Sequence, residues 1–167
     1  MKSIIIIIIL VFIGSACTNP FAPKLANKDE KGSILGDQKT IDGIFENFRY
    51  AYTFKDTVVY GNLLSDDFRF IFKNYDKGID ESWSRTEEMM TTSRLFMATK
   101  SIDLTWNDVT TSVGDSVLMD ISRAFNLTIV FSTTDVVNLF GRVNMRIKRN
   151  NTDEIWKIVQ WRDESNF

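Results

Sequence analysis

The sequence predicts an α+β domain in which three helices pack on a sheet of long antiparallel strands. Three observations carry this reading. Apolar residues recur at helical spacing over residues 38–54 and again after Ser84. The period falls to two at Asp67 and stays there through the later half of the chain. The connections between those later segments are short and polar, as hairpins require. A length of 167 residues gives room for one domain and a tail, and 44% apolar with 25% charged residues is a globular balance.

The first segment, residues 1–16, reads MKSIIIIIILVFIGSA. Lys2 gives a positive start, Ile4 to Ile13 an unbroken apolar run, and Gly14, Ser15 and Ala16 a small-residue cleavage region. A spanning helix needs roughly 20 apolar residues, so this shorter run is expected to be a signal peptide. Small residues directly before Cys17 resemble the lipobox of bacterial lipoproteins, with Gly14 where that family more often has an aliphatic residue. The resemblance implies cleavage before Cys17, lipid on its thiol and new amino group, and localisation in the bacterial cell envelope. There the chain would be lipid-anchored to a membrane and face the periplasm or exterior. The alternative is an ordinary signal peptide or signal anchor with an incidental cysteine. Residues 17–37 hold both prolines, Pro20 and Pro23, among Asn, Lys, Gly and Ser, which is the composition of a solvated tether.

From residue 38 the body begins. Ile41, Ile44, Phe45, Phe48, Ala51 and Tyr52 share one helical face over 38–54. Asp56 is placed to cap a second helix running to Leu64. Phe68, Phe70 and Phe72 then alternate with Arg69 and Lys73 along a strand, and 74–82 reads as a polar loop. Ser84 and Glu87 have capping-box spacing, opening a third helix to about Lys100 with Met89, Met90, Phe96 and Met97 inward. Strands follow: Ile102, Leu104 and Trp106 on one face; then about 117–131, 137–147 and 155–161. Gly114-Asp115, Thr133-Thr134-Asp135 and Asn150 to Asp153 supply the turns.

Three stretches resemble the NTF2-like superfamily of SnoaL-type and ketosteroid-isomerase-type proteins. They are Tyr50-Ala51-Tyr52 through Leu64-Ser65-Asp66-Asp67-Phe68, the helix opened by Ser84, and the closing Trp156-Lys157-Ile158 to Trp161-Arg162-Asp163. The resemblance implies a cone in which three N-terminal helices pack on a curved antiparallel sheet, and it covers the domain at 38–167. Catalytic members of that superfamily commonly carry an acid or histidine base just after the Asp-Asp pair. Here that strand reads Phe68-Arg69-Phe70-Ile71-Phe72, without an acid.

Composition narrows the chemistry further. The chain has no histidine, which removes histidine bases, His-dependent triads and His metal sites. A single cysteine allows no internal disulfide, and 20 basic against 22 acidic residues give no case for nucleic acid. No cofactor or metal is expected. Asn74, Asp76, Asp80 and Glu81 around Gly78 depart from the calcium-loop pattern, with Arg85 at the position of its last Glu. Arg142, Arg146 and Lys148 form a basic stripe on what should be the solvent face of the sheet.

Arg123 and Asp163 are the candidate catalytic residues. Arg123 falls among apolar neighbours on its strand face, so it needs a partner or a wet cavity, unless a bulge turns it outward. Asp163 shares its face with Val159 and Trp161 and is placed either to line a pocket or to close the sheet edge. Phe70, Phe72, Trp106 and Trp161 complete a candidate apolar ligand pocket, with plain core as the alternative. The expected function is a membrane-anchored, non-catalytic envelope lipoprotein whose domain binds a small apolar ligand or a protein partner, with a homodimer through the sheet as one candidate partner. The alternative is a SnoaL- or ketosteroid-isomerase-type lyase or isomerase using a pocket Asp.

Overall fold

The computed structural model describes residues 34–165. The expected leader at 1–16, the expected lipidation site Cys17 and the expected tether as far as residue 33 lie outside the described residues. Helix α1 (Ile41–Phe54) starts at Thr40, whose hydroxyl accepts from the Gly43 N–H at 3.0 Å, with Asp42 in the first turn facing the positive end of the helix dipole. Ile44, Phe45, Phe48, Ala51 and Tyr52 make its buried stripe. The helix stops at Lys55, which adopts a left-handed conformation (φ 56°) and donates from its ammonium to Thr99 O at 2.9 Å. Asp56 then caps α2 (Thr57–Leu63), one carboxylate oxygen accepting from Val58 N and Val59 N at 2.9 Å each.

The folded body starts a few residues earlier than 38. Asn47 donates to Gly36 O at 3.0 Å, and the Gln38 amide donates to Asn62 O and Trp156 O at 3.2 and 2.9 Å. Gly43 permits this approach, because a Cβ there would lie 1.9 Å from Asp37 O. The end of the predicted tether is therefore laid along α1.

Strand β1 (Leu64–Asn74) turns through Gly78, at a positive φ of 69°, into β2 (Ile79–Ser84), which pairs with it antiparallel. The sequence predicts a loop here. The segment is a strand because it lies at the sheet edge, where most side chains meet water, while Trp83 stacks on Phe70 (4.5 Å between centroids). Helix α3 (Arg85–Ala98) opens with the expected capping box, Glu87 accepting from both Ser84 N and Ser84 Oγ at 2.8 Å. Its buried stripe is Glu88, Thr92 and Phe96, with Met89 half-buried against the core as expected, whereas Met90 and Met97 are 49% and 75% exposed rather than inward.

Strands β3 (Ser101–Gly114), β4 (Leu118–Val130), β5 (Val136–Lys148) and β6 (Lys157–Ser165) form a meander, giving the sheet order β2-β1-β6-β5-β4-β3. The expected all-antiparallel sheet is mixed instead, since β6 runs parallel to β1. Short hairpin turns fix each meander strand against the one before it, whereas β1 and β6 are joined by most of the domain and carry no such constraint. Register shifts in β3 around Val109 accompany the curvature of the sheet, which remains unclosed. The helices cover the concave face, against Ile121, Val143, Met145, Ile147 and Ile158. The other face is largely polar, and Arg146 of the predicted basic stripe is held there by Asp120 in a bidentate pair (2.8 and 2.9 Å). Among the described residues no helix is long and apolar enough to cross a membrane.

Candidate functional site

Between α3 and the concave face of the sheet lies a cavity of about 490 Å³. Strands β1, β2 and β6 bring Phe70, Phe72, Trp83 and Trp161 to its wall, because their alternation points every second side chain toward the helices. Phe70 stacks on Trp83 and meets Trp161 edge-on, with centroids 5.1 Å apart. Phe125, Leu127 and Leu139 of β4 and β5 add apolar surface on the far side.

The polar end of the cavity is built around Glu88, which is 3% exposed. Its Oε1 accepts from Tyr60 Oη at 2.5 Å and from Thr92 Oγ1 at 2.9 Å, and its Oε2 accepts from Trp83 Nε1 at 2.6 Å. A buried carboxylate is costly unless hydrogen-bonded, and these three donors meet that requirement. Tyr52 reaches the same place from α1. Burial pushes its hydroxyl well above the ordinary tyrosine range, and the nearby Glu88 carboxylate adds to the shift. Burial likewise holds the Tyr60 hydroxyl far above its usual value, with Tyr52 and Glu88 contributing next. Both phenols are therefore neutral donors at ordinary pH.

The sequence-predicted site divides in two. Phe70, Phe72, Trp161 and Asp163 line the cavity together. Trp106 and Arg123 do not; they sit against the start of α1. Trp106 donates from its indole to Phe45 O at 2.9 Å, and the Arg123 guanidinium lies 4.7 Å over the Phe45 ring while donating to Asn107 O at 2.8 Å. Arg123 points toward the helix layer, as its strand face predicts, and is satisfied there by a carbonyl and an aromatic face. Asp163 and Arg123 occupy one cross-strand row with Val143 between them, which puts their backbones roughly 10 Å apart.

Glu88, Thr92 and Tyr52 were not among the residues that the sequence marks for the site. The available signal was the spacing of Glu88 and Thr92 to Phe96, four and eight residues along one helical stripe. In strand β2, Glu81 pairs with Lys77 at 2.6 Å and Asp80 with Arg162 at 2.7 Å, so both acids serve the edge of the sheet. Among the described residues no cluster of His, Cys, Asp and Glu side chains could hold a metal ion.

No protein-family model and no curated protein sequence matches the chain. Solved structures do match its fold. The Kfla4162 protein of Kribbella flavida superposes with a TM-score of 0.65 at 11% identity, over 78% of this chain and 91% of that one. A candidate scytalone dehydratase from Novosphingobium aromaticivorans gives 0.65 at 8% identity, over 76% and 82% of the two chains. A candidate dehydratase of the NTF2-like family from Streptomyces avermitilis gives 0.59 at 13% identity, over 75% and 94%. At such identities the likeness speaks for architecture alone. Three helices on the concave side of a curved, unclosed six-stranded sheet, shared with these structures, give the chain the NTF2-like fold.

Proposed function

We propose that this chain is a lipid-anchored protein of the bacterial envelope whose NTF2-like domain binds a small apolar ligand in the cavity beneath α3. The cavity carries the binding half of this reading. It is concave, walled by aromatic rings and equipped with a few convergent polar groups, which is the usual character of small-molecule sites. The anchoring half rests on the lipobox-like run before Cys17. Trp83 and Trp161 both face the cavity, so intrinsic fluorescence reports its occupancy. Titrating the purified chain with a neutral aromatic such as neopentylbenzene is expected to quench or shift that emission saturably. Phe70→Asp, which puts a charge in the wall, should weaken the response at least tenfold. A linear, non-saturating response in the parent protein would overturn the binding reading.

A second reading has one observation in its favour. Asp163 lines the same cavity, near enough to Tyr52 for its charge to act on that hydroxyl. A carboxylate and a neutral phenol donor in one apolar chamber are the components that a lyase or isomerase would use. Turnover of a ketosteroid or small enone, abolished by Asp163→Asn with the fold intact, would establish this reading over simple binding. Self-association through the open sheet also belongs to the proposal, and light scattering over a wide concentration range tests it by the rise from one copy toward two.

A further inference from the structure

The polarity of the cavity says more than that it is apolar. Glu88 is buried, yet Tyr60, Thr92 and Trp83, the three groups that satisfy it, are all neutral donors. Among the described residues no Lys or Arg forms an ion pair with it. A carboxylate offers roughly four lone-pair sites, so one on Oε2 is left unused by these bonds. Asp163 adds a second acid to the lining, and both acids raise the Tyr52 hydroxyl, after burial itself. Two basic side chains near the cavity make contacts of their own. Lys73, at the rim, donates to Gly78 O at 2.9 Å and lies 3.8 Å from Asp80, while Arg123 is held at Asn107 and Phe45.

Around this negative end stand the rings of Phe70, Phe72, Trp83 and Trp161. Aromatic faces carry the negative side of the ring quadrupole and attract a cation set against them, most strongly where water is excluded. A buried acid and an aromatic wall thus favour the same charge, and both disfavour an anion.

We propose that the cavity is an organic-cation site: it takes an ammonium group carried on an apolar body, the charge set toward Glu88 and flanked by the aromatic wall. The inference rests on the reading of this cavity as a ligand site and names the ligand class that the site selects. A neutral apolar ligand gains only burial there, whereas a cation also gains attraction to Glu88 and the ring faces.

Two probes of the same shape separate these contributions. Benzyltrimethylammonium and neopentylbenzene differ by one positive nitrogen in place of carbon. With the full-length chain, followed by tryptophan fluorescence and calorimetry, the cation is expected to bind at least tenfold more tightly than its carbon isostere. If the isostere binds as well or better, the cation inference is overturned while the apolar-ligand reading stands. If neither binds, both fall. Glu88→Gln keeps the side-chain shape and should bring the two affinities within about twofold of each other. A preference that persists in a folded Glu88→Gln protein would remove Glu88 as its source and overturn the proposal. If circular dichroism shows that variant unfolded, the comparison of the two probes on the parent chain decides alone.

Discussion

At the scale of single residues, the polar end of the cavity is where folding and function share atoms. Tyr60 donates to Glu88 from a fully enclosed position, so Tyr60→Phe removes a bond to a charged acceptor without changing the packing volume. We expect a loss of about 1.5–3 kcal/mol in urea unfolding, the range for hydrogen bonds to charged groups. The tyrosines also set an alkaline limit. Burial raises both hydroxyls, so the folded state retains two protons that the unfolded chain releases from about pH 10 upward. Their contribution is whole below that pH and is lost as pH climbs, at about 2.7 kcal/mol per pH unit for two such sites. Unfolding free energies measured at pH 9.5, 10.5 and 11 check this, and Tyr52→Phe should roughly halve the slope. A slope unchanged in that variant would mean that Tyr52 ionises in the folded state as it does in water. Glu88 itself was hard to read from sequence for a physical reason. Beside Met89 and Met90 it looks like the polar edge of an apolar stripe, and only Tyr60 arriving from α2, with Trp83 and Thr92, makes the inward position tolerable for a carboxylate.

At the scale of elements, local chemistry was legible wherever a short-range rule fixes the backbone. The caps at Asp56 and Ser84 stand where spacing put them, because each depends only on a side chain reaching an N–H two or three residues away. Strand β2 was not legible, since an edge strand with polar side chains has the composition of a loop and is defined by its partner, β1. The parallel pairing of β1 with β6 was hidden for the same reason: it joins residues that no local pattern connects. Asp56→Ala removes two accepted hydrogen bonds from a helix of seven residues and should cost about 1 kcal/mol. Gly43→Ala is expected to be worse, by more than about 2 kcal/mol, because its new Cβ would meet backbone rather than a flexible side chain. Chemical denaturation measures both. A Gly43→Ala protein as stable as the parent would show that residues 34–37 can leave α1 at little cost.

At the scale of the whole molecule, the proposed anchor lies in a different part of the sequence from the core. Among the described residues the buried core runs from Ile44 to Ile158, whereas the apolar run at 4–13 and Cys17 precede it in the sequence. On the proposed reading, the short apolar run and the small residues before Cys17 address processing machinery, whereas the later alternation directs the chain's own folding. Lipid attachment works by adding buried methylenes, each contributing about 0.8 kcal/mol to membrane affinity, and a Ser in place of Cys17 has no thiol to carry them. Cys17→Ser should therefore abolish incorporation of labelled fatty acid and halt maturation at the precursor. Its domain should keep the same thermal midpoint and the same fluorescence response to cavity ligands as the parent. Labelled lipid still present in the variant would refute anchoring through Cys17. Loss of the thermal transition would instead show that the segment before residue 34 takes part in the fold.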